Sequence, residues 1–225
     1  MILDFETTLQ YMPLIFNGIK VTLLFTFFSM ISGFVLGTLL TLVKVSGKKI
    51  PKMIADGYTS VFRGTPLLVQ LFLVYYATPQ LTGYSITALE AAVLTFGLNA
   101  SAYISEIMRG GIMSVDKGQR EAAMSLGIPY KLMMSKIIFP QALRMFLPSL
   151  VNEAIGLLKN SSLVAMIGVT DIMRGAQMMQ NITYRAFEPY LLAAATYYIL
   201  VAILTIIANN LERRVRISDQ NWTFI

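Results

Sequence analysis

Long uncharged apolar runs alternate along this chain with short polar stretches rich in lysine and arginine. Val21 to Val43 contains no charged residue. At ~1.5 Å rise per residue, that run is long enough to cross roughly 30 Å of hydrocarbon. It predicts a first membrane span over about 14–43, in which Gly33 and Gly37 are spaced to let another helix pack closely. Lys44, Lys48, Lys49 and Lys52 follow and read as a loop around Gly47 and Pro51. The next apolar core, Pro66 to Thr78, is too short to cross alone. A second span over 52–78 is therefore expected to start before it and to be kinked at Pro66. Asp56 and Arg63 would lie on one face near its basic end, turned toward protein or the surface because unpaired charge in a bilayer is costly.

A third span is expected over 86–113. Asn99, Ser101, Tyr103 and Glu106 give it a polar stripe suited to a bundle interior or an aqueous path, and Glu106 can pair with Arg109 near the helix end. The fourth span, 137–169, is read as broken. Pro140, Arg144, Pro148, Asn152 and Glu153 interrupt it, followed by Lys159-Asn160-Ser161-Ser162 and a short apolar run. Prolines and ionisable groups persist at membrane depth only where protein or water satisfies them, and such irregular helices commonly line transport sites. Thr170 to Glu188 is polar and expected outside. A fifth span over 189–211 ends at Glu212-Arg213-Arg214-Val215-Arg216. Counting lysines and arginines places the 44–52 loop, the 109–136 region and this tail on the cytoplasmic side, with the N-terminus outside.

Composition sharpens this picture. Of 225 residues, 56% are hydrophobic and 13% charged, about half the charge share of a soluble domain. The acidic start Met1-Ile2-Leu3-Asp4-Phe5-Glu6 lacks the basic opening of a cleavable signal peptide. The chain has neither cysteine nor histidine, which excludes disulfides, thiolate metal sites and histidine catalysis. The net charge of +6 sits in the short loops and reads as membrane topology rather than nucleic-acid binding. Met133, Met134, Met178 and Met179 fit apolar contacts better than a copper or iron path. Gly47-Lys48-Lys49 lacks the upstream glycine and the following hydroxyl residue of a phosphate loop. The chain is thus expected to hold no ATP site of its own.

Between the third and fourth spans, residues 114–136 form a polar loop. A short helix is expected there from about Asp116 to Leu126, stopped by Gly127 with Pro129 just beyond. The run Glu121-Ala122-Ala123, then three residues, Gly127, nine residues and Ile137-Ile138-Phe139-Pro140 resembles the EAA loop of permease subunits of ATP-binding-cassette (ABC) importers. The chain departs from that pattern at Phe139, where leucine is usual. Arg63-Gly64-Thr65-Pro66-Leu67, Tyr103 to Gly111, Pro140-Gln141-Ala142 and Leu158 to Leu163 are similar to the polar-amino-acid branch of those importers. The resemblance implies an all-α, type I importer permease fold, in one domain of about five spans. It also implies a second permease copy or paralogue, two ATP-binding subunits that bind the nucleotide, an extracytoplasmic substrate-binding protein and a polar amino acid as substrate. Its setting would be a prokaryotic inner or plasma membrane. Coupling to the ATPase is carried over to Gln119, Glu121, Ala122, Ala123 and Gly127.

For the substrate path, a zwitterion needs a cation or N–H donors for its carboxylate and acceptors for its ammonium. Lys159 can supply the first; Glu153, Asn160, Ser161 and Ser162 can supply the second, with Asn152 and Gln70 as further candidates. Glu153 and Lys159 could equally neutralise each other, or partners elsewhere, as structural groups. Two other classes compete with the importer. An ion-coupled secondary transporter should show inverted-repeat symmetry, which an odd span count with one irregular helix lacks. A membrane scaffold would tolerate apolar replacement of the Lys159–Ser162 run.

Overall fold

The computed structural model describes residues 4–220, with side chains through Asn210. Every regular element among them is helical. A short α1 (Phe5–Leu9) leads into α2 (Met12–Val45), α3 (Lys49–Gly64) and α4 (Leu67–Thr82). After these come α5 (Ala88–Ser114), α6 (Lys117–Ser125) and α7 (Tyr130–Ile167). The chain ends in α8 (Ile172–Thr183) and α9 (Phe187–Gln220). The basic side chains expected to close the chain lie outside the described ones.

Among the described residues, four helices are long and apolar enough to cross a membrane: α2, α5, α7 and the Phe187–Asn210 part of α9. They are not equivalent. In the most apolar stretch of α5, 67% of residues are buried, against 22% in α2 and 17% in α9, so α5 is the central helix of the bundle. Phe16, Phe27 and Phe34 on α2, and Tyr198, Ile203 and Ile206 on α9, are exposed apolar groups of the kind that faces lipid.

Gly33 and Gly37 hold α2 against α5. A Cβ on Gly33 would come 2.7 Å from that of Ala100, and one on Gly37 would come 2.8 Å from Ile104 Cγ2. Small residues let the two backbones approach within van der Waals contact, the main attraction between helices in lipid. Phe25 and Phe96 meet edge to face just above, with ring centres 4.7 Å apart.

The stretch expected as one kinked second span is two helices. α3 ends at Gly64, Thr65 is extended at φ −120°, ψ 147°, and α4 starts after Pro66. Proline removes its own N–H and pushes the preceding residue out of the helical region, so the helix stops instead of bending. The expected break over 137–169, by contrast, is a change of helix type. The backbone stays helical from Tyr130 to Ile167, with a wide π turn at Met134–Ile138 and a tight 3₁₀ stretch at Ser161–Ile167. A second π turn, Leu73–Ala77, interrupts α4. Each π turn lies just ahead of a proline, Pro140 or Pro79, where i→i+5 bonding passes over the missing donor. Lys44, expected in a loop, belongs to the last turn of α2 and is buried. The 170–188 stretch, expected as polar chain on the outside, contains α8.

Gly33→Ala is expected to lower stability by about 1–3 kcal/mol through overpacking. Gly57→Ala, where an added methyl meets nothing within 4 Å, should leave it equal or higher. Thermal unfolding of the purified variants in one detergent checks the pair.

Candidate functional site

Where α3 breaks from α4, the helical hydrogen bonding is interrupted at Thr65–Pro66. Phe62 C=O loses the N–H it would have met four residues on, because that residue is Pro66. Two side-chain amides replace it: Gln70 Nε2 and Asn99 Nδ2 each donate to Phe62 O at 2.9 Å. Gln70 Nε2 also lies 3.1 Å from Thr65 O and 2.7 Å from Thr65 Oγ1, while its Oε1 accepts from Asn99 Nδ2 at 3.0 Å. Thr65 Oγ1 in turn donates to Val61 O at 2.8 Å. The Val61 and Phe62 carbonyls in the last turn of α3 are thereby satisfied from Thr65, from α4 and from α5.

Beside this break lies a pocket of ≈ 290 Å³, close to the smallest that ordinary ligand sites reach. Thr65 and Leu67 come from the break, Asn99 and Tyr103 from α5, and Glu153, Gly156, Leu157 and Asn160 from α7. Glu153 and Asn160 are two helical turns apart and share one face. Gly156 between them carries no side chain to fill the space. Arg63 sits at the edge with its guanidinium carbon 5.3 Å from the centre of the Tyr103 ring, a cation–π contact. The pocket thus holds a carboxylate, amides, a phenol and a nearby guanidinium.

The proposed substrate-path residues separate here. Glu153 and Asn160 come together in the pocket. Lys159 and Asn152 are exposed on other faces of α7. Ser161 is buried and donates to Leu158 O at 2.8 Å, and Ser162 donates to Lys159 O at 3.1 Å, so both hydroxyls serve the tightening helix end. Gln70 stands behind the pocket wall with its amide committed to the break. Thr65, Asn99, Tyr103 and Arg63 were not among the proposed path residues. The polar stripe on the third span pointed to two of them, but nothing local indicated that Thr65 and Arg63 would meet it.

Within the 114–136 stretch, the helix expected from about Asp116 to Leu126 forms as Lys117–Ser125, while residues 130–136 already belong to α7. Asp116 caps α6 by accepting from Gly118 N at 2.8 Å. At the other end Gly127, at φ +67°, donates to Met124 O at 3.0 Å and Ile128 N to Ala123 O at 3.0 Å. This paired closure is a Schellman motif, whose left-handed residue favours glycine. Gln119, Glu121 and Ala122 face outward, as do Met124 and Leu126, but Ala123 is buried against the chain's own core. Arg120 was not anticipated. Its Nη2 donates to Ile112 O at 2.7 Å, tying α6 to the last turn of α5.

At the same end of the bundle, the buried Lys44 joins three helices. Its ammonium contacts Glu106 of α5, Thr59 Oγ1 of α3 at 2.8 Å and, more distantly, Asp56 at 3.5 Å. Glu106 also takes the Arg109 guanidinium at 2.8 Å. The expected Glu106–Arg109 pair is therefore part of a larger cluster centred on Lys44. Among the described residues, no group of three or more acidic side chains could hold a metal ion.

Comparison with known proteins assigns the class. Residues 33–217 match the family described as the binding-protein-dependent transport system inner membrane component. The arginine transport system permease protein ArtQ of Bacillus subtilis is 46% identical over 217 residues, covering 96% of this chain and 99% of that one. A putative glutamine transport system permease protein, GlnP of Rickettsia bellii, is 44% identical over 95% of this chain and 100% of its own. A crystal structure of an amino acid ABC transporter with histidines contains a chain 42% identical to this one. The two superpose with a TM-score of 0.90, covering 95% of this chain and 100% of that one. The inward-facing MetNI methionine ABC transporter, at 23% identity and a TM-score of 0.76 over 91% of this chain and 97% of that one, shares the fold. This chain belongs to the binding-protein-dependent inner membrane components. It is a multi-pass membrane protein of the prokaryotic ABC permease class, a transport subunit rather than an ion-coupled carrier, and its relatives carry the names of amino acid permeases.

Removing the Lys44 ammonium leaves Glu106, whose side chain is 20% exposed, paired with Arg109 alone. Lys44→Met is expected to destabilise the protein by roughly 1–3 kcal/mol, and Lys44→Met with Glu106→Leu to recover part of that loss. Denaturant unfolding of the single and double variants gives the comparison.

Proposed function

We propose that this chain forms the translocation path of an ATP-driven importer for a polar amino acid, and that the Glu153–Asn160 pocket is where the substrate is held. The observation that carries this is the pocket's chemistry. A carboxylate available to an ammonium, amide and phenol groups, and a guanidinium at the rim are what a zwitterion requires. Relatives named for arginine and for glutamine support an amino acid as cargo. Lys159, exposed on another face, gives the carboxylate role to Arg63 in this reading.

The importer would sit in the cell membrane with α6 on the cytoplasmic side and the N-terminus outside, as the lysine and arginine distribution suggests. There the outward face of α6, with Gln119, Glu121 and Ala122, would dock on one of two ATP-binding subunits that bind and hydrolyse the nucleotide. A second permease copy or a paralogue would complete the pore, and an extracytoplasmic binding protein would deliver the substrate. Closure of the ATPases would move α6 as a rigid body, and Arg120 would pass that movement to α5 and so to Asn99 and Tyr103 in the pocket wall.

The test is amino-acid-stimulated ATP hydrolysis by the complex in proteoliposomes, with L-arginine and L-glutamine as probes. Glu153→Gln is expected to raise the half-maximal concentration about 10–100-fold, the loss of one charge-assisted contact, while assembly is kept. Ala122→Glu, which crowds the outward face of α6, should abolish stimulation. Native responses in both variants would contradict the proposal.

A further inference from the structure

The break between α3 and α4 is held by an amide that does not itself line the pocket. Gln70 is 7% exposed, and its side chain bridges the end of α3 and Asn99. Asn99 is shared: one nitrogen donates both to Phe62 O and to Gln70 Oε1, while the residue forms part of the pocket wall. Thr65 is shared in the same way, accepting from Gln70 and lining the pocket. Arg63, between these anchors, is held over Tyr103.

A continuous helix through this stretch would need no buried amides. The chain instead interrupts it, and the interruption sets where Arg63 and Thr65 stand relative to α5. Contacts made to Thr65 or Asn99 act on the same groups that satisfy the break. We propose that Gln70 is a positioning residue for substrate binding, acting through the placement of Arg63–Thr65 and Asn99 rather than by touching the substrate. The proposal rests on the pocket being the substrate site.

Gln70→Met keeps the length of the side chain and removes its donors. Gln70→Glu keeps the shape and sets a carboxylate against the Phe62 and Thr65 carbonyls. In both variants Asn99 still donates to Phe62 O, so one tie across the break survives. In the reconstituted complex, the L-arginine or L-glutamine concentration giving half-maximal ATPase stimulation is expected to rise about tenfold, with maximal rate and co-purification of the ATPase within about twofold of native. A second readout follows the break itself. The chain contains no cysteine, and a side chain added at Gly64 meets nothing within 4 Å. Gly64→Cys therefore gives a single site for a membrane-impermeant maleimide, and its labelling rate should change when Gln70→Met is added. Unchanged half-maximal concentration and unchanged labelling would overturn the proposal. So would failure of both variants to assemble, which would make Gln70 a folding residue. If neither amino acid stimulates the native complex, the pocket reading falls, and the positioning proposal that rests on it is overturned with it.

Discussion

The carbonyl of Phe62 is the point on which this structure turns. Inside a membrane bundle, a backbone acceptor without a partner costs far more than it does beside water. Pro66 creates that acceptor by removing a donor, and the fold answers it with Gln70 from α4 and Asn99 from α5. Once those amides are spent there, the end of α3, the start of α4 and the middle of α5 are tied together. The space left beside them, closed by Gly156 and its neighbours on α7, is the pocket. An irregular backbone and a polar cavity arise from one requirement.

The middle of α3 is fixed by charge instead of amides. The buried Lys44 holds Asp56 and Thr59 of α3 and Glu106 of α5 in one partly exposed cluster. Arg120 then fastens α6 to the last turn of α5. In the proposed importer these ties give a route from the cytoplasmic helix to the pocket wall through rigid elements, because α5 carries both the Ile112 anchor and the Asn99–Tyr103 stripe. Burial of two-thirds of α5's apolar stretch makes it the natural carrier of such a displacement, since a close-packed helix moves with its neighbours.

Local signals proved legible in the sequence, and long-range ones did not. The capped α6, the left-handed Gly127 and the close-packing pair Gly33 and Gly37 each depend on neighbours in sequence or on helical spacing, so residue type and interval sufficed. The Thr65–Pro66 interruption was misread as a kink because its cost is settled by Asn99, 37 residues from Phe62. The fourth span looked broken because hydropathy registers Pro140 and Pro148 but not the π turn that accommodates a proline. Lys44 looked like a loop residue because its three partners are distant in the chain. In the pocket, Glu153 and Asn160 share a helical face and were found together, while Arg63 and Thr65 arrive from another helix. Ala123 shows the same limit at small scale: the resemblance carried ATPase coupling over to it, but the phase of α6 turns it inward.

The most direct test of the substrate site is a structure of the assembled transporter with its amino acid trapped in the membrane. Density for the substrate is expected between Glu153 and Asn160, with its carboxylate toward Arg63 and the Gln70–Phe62 contact intact behind it. Substrate density bound elsewhere along the path, with the Glu153 pocket collapsed or filled by side chains, would contradict it.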